Sequence, residues 1–131
     1  MSSQVYPKFK EALLQGTYNL SSAVVRAVLI DTGTYTYSAA HDFYNDLSGV
    51  VGTESPAMAS KTFTNGTFDC ADYTFSAVTG ATAEAIVYFV DTGNPATDAL
   101  ICYVDSGTGL PFTPNGGDAN VTVSASGVFS L

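Results

Sequence analysis

"AEAIVYFVDTG", residues 83–93, decides the fold. Apart from Glu84, residues 83–90 are apolar at both alternating sets of positions and rich in β-branched and aromatic side chains. A short run of that kind reads as a strand with both faces covered rather than as an amphipathic helix. Asp91-Thr92-Gly93 then stops it. An aspartate accepts hydrogen bonds from backbone N–H groups two residues on, and glycine adopts positive φ without steric cost, so the pair turns a strand end sharply.

The same phrase occurs twice more. "AVVRAVLIDTG" (residues 23–33) is an apolar strand that ends at Asp31, and "ALICYVDSG" (residues 99–107) is one that ends at Asp105. Asp-Thr-Gly after an apolar strand is also the motif of acid proteases, which hold two aspartates close enough to share a proton. Three copies fit a repeated turn better than a dyad. A chain of 131 residues is too short for two catalytic lobes, each with its own core. Thr34 and Asn94 follow the motifs where such enzymes carry Ser or Ala, and "VVG" at Val50 falls in an expected loop. Asp31 and Asp91 are therefore read as turn residues.

Outward from these strands the chain stays mainly β. "KTFTNGTFD" (61–69) reads as a hairpin turning at Asn65-Gly66, the pair favoured in type I′ turns. "DYTFSAV" (72–78) sets Tyr73, Phe75 and Ala77 against Thr74, Ser76 and Val78, and "NVTVSA" (120–125) alternates likewise. "GVFSL" (127–131) spaces Phe129 and Leu131 for one face, and the Gly- and Pro-rich residues 105–120 read as a loop. Two helices are expected near the N-terminus. The first is 7–15, with Pro7 at its first position and Gly16 just past its end. The second is "AAHDFYNDL" (39–47), with Ser38 as N-cap, Gly49 as stop, and Ala40, Phe43 and Leu47 on one face. Residues 48–60 read as a surface loop. The expected fold is one β-rich domain over 1–131, an antiparallel β-sandwich or barrel with two short helices in its N-terminal part. Residues 1–22 form an N-terminal arm with its helix.

Composition narrows the function. Twelve Asp and Glu stand against four Lys and Arg, a net charge of −8. No basic patch can form, which argues against nucleic acid and against an anionic membrane as partners. Charged residues make up 12%, about half the usual share, which suits a surface partly covered in an assembly. No run of residues approaches a membrane span, and the N-terminus has no apolar leader, so the expectation is assembly in a host cytoplasm. Cys70 and Cys102 lie in expected strands and read as buried thiols, with a disulfide between them as the alternative that one pair of cysteines leaves open. His41 is the one histidine, and beside Asp42 in a helix turn it reads as solvated rather than as a triad base. Asp91, Asp105 and Asp118 are the carboxylates that acidic turns could offer to calcium, at a spacing that matches no calcium loop. The chain is expected to carry no enzyme activity, cofactor or metal.

Three long stretches carry a resemblance. They are "YPKFKEALLQGTYNLSSAVVRAVLIDTGTYTYSAAHDFYNDL" (6–47), "FSAVTGATAEAIVYFVDTGNPATDALICYVD" (75–105) and "GLPFTPNGGDANVTVSASGVFSL" (109–131). Together they resemble a family of short virion structural proteins of tailed bacteriophages, over nearly the whole chain. By analogy with small acidic β-proteins of such particles, the resemblance implies a capsid decoration or cement protein on the outer shell. Its expected partner is the major capsid protein; the sparse charge and the doubly apolar strand 83–90 add the expectation of a closed ring of copies, a trimer. The candidate contacts are Tyr6, Lys8, Phe9 and Lys10 on the N-terminal arm; the competing reading is that Phe9 and Leu13 plug the core. The alternatives are a head–tail connector or tail component, and a carbohydrate-binding adhesin module.

Overall fold

The computed structural model describes residues 3–105, 110–123 and 127–130. Its elements are β1 (Ser3–Val5), α1 (Pro7–Leu14), β2 (Val25–Ile30), β3 (Val50–Val51), β4 (Thr67–Phe68), β5 (Tyr73–Phe75), β6 (Ala85–Val90), β7 (Leu100–Val104), β8 (Ala119–Val121) and β9 (Phe129–Ser130). The fold is mainly β and antiparallel. Five strands form one sheet in the order β1-β7-β6-β2-β3, and β4–β9 and β5–β8 form two small sheets. Among the described residues the strands do not close into a barrel.

β6 lies at the centre of the large sheet, and all six of its residues are buried. Pairing of Val25 with Val90 through Ile30 with Ala85 sets the register with β2. That register puts Ala27, Tyr88 and Cys102 on one face, and Val28, Val87 and Tyr103 on the other. The first face is covered by β5, whose Tyr73 hydroxyl donates to the Tyr88 hydroxyl at 2.7 Å. The second face is covered by residues 34–47. Tyr37 packs on Tyr103 with ring centroids 5.4 Å apart, and Tyr44 meets Phe89 edge-on at 4.9 Å. The demand that "AEAIVYFV" be covered twice is thus met inside the chain, and β6 gives no ground for a ring of copies.

That cover is the segment expected to be the second helix, and it is not one. Its backbone is tied to residues 95–100, and only short turns of its own remain. Tyr44 N–H donates to Asp98 O at 2.8 Å, Leu100 N–H donates to Asp42 O at 3.0 Å, and Phe43 bridges Ala99 antiparallel. The Asp46 carboxylate takes the Asp42 N–H at 3.0 Å, and only a 3-10 turn forms, Tyr44–Asp46. Asp, Asn, His, Phe and Tyr are middling helix formers, and Asp and Asn compete for nearby backbone donors, so packing on the sheet wins. α1 is therefore the one α-helix among the described residues.

Residues 48–60 also depart from the expected surface loop. β3 pairs with the end of β2, and the chain then runs on beside β2. Ser55 N–H donates to Ala27 O at 2.9 Å, the Ser55 hydroxyl accepts from Ala27 N–H at 2.9 Å, and Met58 N–H donates to Val25 O at 2.8 Å. Val51, Ser55 and Met58 are buried, and the β2 edge is closed. The expected Asn65-Gly66 hairpin is present. Thr62 and Asp69 exchange backbone bonds, Asn65 has φ 56° and ψ 33°, and Gly66 has φ 77°, which is a type I′ turn.

Candidate functional site

α1 presents the candidate contacts, and local chemistry fixes its ends. Pro7 occupies its first position. At its C-terminus Gly16 has φ 73°, with Gly16 N–H donating to Leu13 O at 3.1 Å and Thr17 N–H to Ala12 O at 2.9 Å. These are the paired bonds of a glycine-stopped helix.

The four expected contact residues separate into two kinds. Tyr6 is fully buried. Its N–H donates to Ile101 O, the residue left over by the β6–β7 bulge, and its hydroxyl shares a 2.8 Å bond with the Tyr35 hydroxyl. Phe9 is also buried and stacks on Tyr18 at 5.7 Å. Neither ring has a face to offer a partner, so both are core, as the competing reading held for Phe9. Lys8 and Lys10 are exposed, and Lys8 lies 3.9 Å from Glu11.

Beside α1 the surface opens into an apolar groove of about 260 Å³, walled by Leu13, Tyr18, Leu20, Phe63, Phe68 and Phe129. The rings of the walls pack on one another. Phe68 lies 5.6 Å from Phe63 and 5.5 Å from Phe129. The large apolar side chains left in water among the described residues are Leu14 (89% exposed), Val24 (43%) and Phe63 (39%). Leu14 adjoins a wall residue in sequence, Phe63 is itself a wall, and Val24 follows the loop that supplies Tyr18 and Leu20. The Lys61 ammonium ties that loop to the hairpin by donating to the carbonyls of Leu20 and Ala23. Sequence reasoning missed this groove, since its walls come from four separated segments. The signal it left was Leu13-Leu14, of which only one can face the core.

The chemistry-bearing residues elsewhere are held in structural roles. Asp31 Oδ1 accepts from Gly33 N–H at 2.9 Å, and Asp91 Oδ1 accepts from Gly93 N–H at 2.9 Å. Because β2 and β6 are antiparallel, these turns lie at opposite ends of the sheet, roughly 20 Å apart at ~3.3 Å per residue. They cannot share a proton. Asp91 also takes the Arg26 guanidinium at 2.6 Å. Of the third motif only Asp105 lies within the described residues; Ser106 and Gly107 lie outside them, as do Ser124, Ala125 and Leu131 of the two C-terminal strand readings. Asp105 ends β7 at the end of the sheet away from Asp91, and Asp118 accepts from Ala77 N–H at 3.0 Å. The structure does not gather these three carboxylates into one site.

His41 is not a free solvated group, for its Nδ1 lies 2.7 Å from the Tyr35 hydroxyl. Cys70 and Cys102 are unpaired and buried. Burial pushes the Cys70 thiol up to about 11 and Cys102 further, so both stay protonated and unreactive at neutral pH. No helix among the described residues is long and apolar enough to cross a membrane. Neither the protein-family models nor the curated proteins contain a match to this chain.

Proposed function

We propose that this chain is a non-enzymatic structural protein of a tailed-phage virion that decorates the outside of the shell and cements neighbouring shell subunits. The observation that carries this reading is the placement of Asp31 and Asp91 at opposite ends of the sheet. It turns the one motif with a strong catalytic association into a pair of strand-end turns. The resemblance in residues 6–47, 75–105 and 109–131 supplies the virion setting. Net charge −8 favours the outer surface over the face towards packaged DNA. In the finer reading of the fold, β4–β9 and β5–β8 are the broken second layer of a sandwich on the large sheet. A trimer of copies draws its support from the sparse charge alone, since β6 is covered within the chain.

A protein that bridges assembled subunits adds its binding free energy to the assembled state alone. Particles made without it are expected to assemble, and to rupture at a lower temperature than particles that carry it. Thermal rupture followed by release of DNA to an intercalating dye measures this. Equal rupture temperatures would end the cement reading. A copy number near a dozen per particle would favour a connector, and retention on a glycan array an adhesin.

A further inference from the structure

We infer that His41 is a pH-sensitive latch: as a neutral imidazole it accepts the last hydrogen bond of a chain that runs from Tyr6 through Tyr35, and as an imidazolium it breaks that chain.

Two contacts make the chain. The Tyr6 and Tyr35 hydroxyls lie 2.8 Å apart, and the Tyr35 hydroxyl lies 2.7 Å from His41 Nδ1. Tyr6 is 0% exposed and Tyr35 2%, so neither phenol can turn its proton to bulk water. The two gaps of the chain hold two protons. Tyr6 donates to Tyr35 and Tyr35 donates to Nδ1, which assigns the imidazole proton to Nε2. Burial, and after it the bond to Tyr35, raises the Tyr6 phenol and keeps that proton in place. A third proton, taken from solvent onto Nδ1, leaves one hydroxyl proton facing a donor with no acceptor, at the cost of a buried unsatisfied group.

The chain ties the N-terminal arm to the cover over the sheet. Tyr6 stands between β1 and α1, and its N–H donates to Ile101 O at 3.0 Å. Tyr35 and His41 belong to the 34–47 cover, which Tyr44 N–H fastens to Asp98 O. Histidine is the side chain that ordinarily changes charge between about pH 5 and 8, and this chain has one. An undocked cover takes the proton without losing a bond, so acidification favours undocking.

The carboxylates near the ring belong to its own segment. Asp46 accepts the N–H groups of Asp42 and Phe43, and it is exposed. The imidazolium is drawn towards it, and its charge in turn helps to hold the Asp46 carboxyl low after the Asp42 N–H has done so. The protonated ring therefore has a partner on the outer side of the cover. From β7 the group behind Tyr35 is the Tyr103 ring at 6.3 Å, a phenol raised by burial and then by Asp105 and Glu84.

The test uses the whole chain in solution. Nitrogen NMR at about pH 7.5 is expected to show Nδ1 bare and Nε2 protonated, and a proton on Nδ1 there would overturn the inference. Amide exchange, corrected for its intrinsic pH dependence, is then compared at about pH 7.5 and about pH 5.5. The reporters are the Tyr6 N–H on the arm and the Tyr44 N–H on the cover. Both are expected to lose about tenfold in protection on acidification, the worth of one buried hydrogen bond. His41→Asn keeps an acceptor oxygen in the place of Nδ1 and takes up no proton, so its protection should stay constant. Tyr35→Phe removes the middle of the chain and should abolish the response from a lower starting protection. An equal response in the parent and His41→Asn would assign it to the Asp42 and Asp46 carboxylates and overturn the latch. A response at Tyr44 alone would overturn the tie to the arm.

Discussion

Asp31 and Asp91 do the same local work with different support, and that difference can be measured. Each accepts the N–H of a glycine two residues on. Asp91 adds the Arg26 guanidinium, whose Nη1 also donates to Ser55 O at 3.1 Å, so the pair ties the β6 end to the segment beside β2. Both side chains are mostly shielded, at 31% and 22% exposure, so the pair keeps more of its strength than an exposed one. Asp31→Ala should cost about 1 kcal/mol, the value of one turn bond. Asp91→Ala should cost about 2 kcal/mol or more, because it also leaves a half-buried guanidinium unpaired. Urea denaturation of the two variants reads the order directly. A larger loss for Asp31→Ala would mean that the ion pair contributes nothing. Neither variant should alter any peptide-cleaving activity at acid pH, since the two carboxylates never meet.

Elements were legible where their determinants were local. α1 follows from Pro7 and Gly16, the I′ hairpin from Asn65-Gly66, β6 and β7 from unbroken apolar runs, and β2 from one that only Arg26 interrupts. Segment 39–47 was not legible. Phe43 and Leu47 pack on the core from an extended segment that leaves Ala40 exposed, although the three stand at helical spacing, and pairing with residues 98–100 decides between the two. The groove was hidden for a related reason, as it exists only once residues 13, 18–20, 63–68 and 129 are brought together. The local case can be tested on its own. Asn65 holds φ 56°, where a β-carbon without a local hydrogen-bonding side chain costs roughly 1 kcal/mol. Asn65→Ala should destabilise the protein by about that much, and Asn65→Gly should be nearly neutral. Thermal melts of the two variants check this, and equal losses would show that the turn does not hold the hairpin's register.

At the scale of the whole molecule, the two covered faces of the sheet share one chemical feature. The chain has eight tyrosines and no tryptophan, and the protein raises the phenol of every one of the eight. Burial is the first cause throughout, and it is strongest for Tyr6 on one face and for Tyr73 and Tyr88 on the other. A phenol raised in the folded state keeps its proton when the unfolded chain has lost its own. Its contribution to stability is therefore complete below the ordinary value of 10.0 and is lost as pH rises above it. Cys70, raised from 9.0 to about 11, begins the decline one unit earlier, and Cys102 adds to it. Above pH 10 the three strongly raised tyrosines alone remove about 4 kcal/mol per pH unit, at ~1.4 kcal/mol each. A domain of ordinary stability, ~5–15 kcal/mol, would then unfold within about one to four units on the tyrosines alone, and sooner with the two cysteines. The expected result is a single cooperative transition between about pH 10 and 12, with phenolate absorbance and loss of β circular dichroism rising together. No tryptophan obscures the phenolate signal. Eight phenolates titrating near pH 10 with the dichroism intact would show that the rings over the sheet are open to water, and the covered second face of β6 would then have to be abandoned.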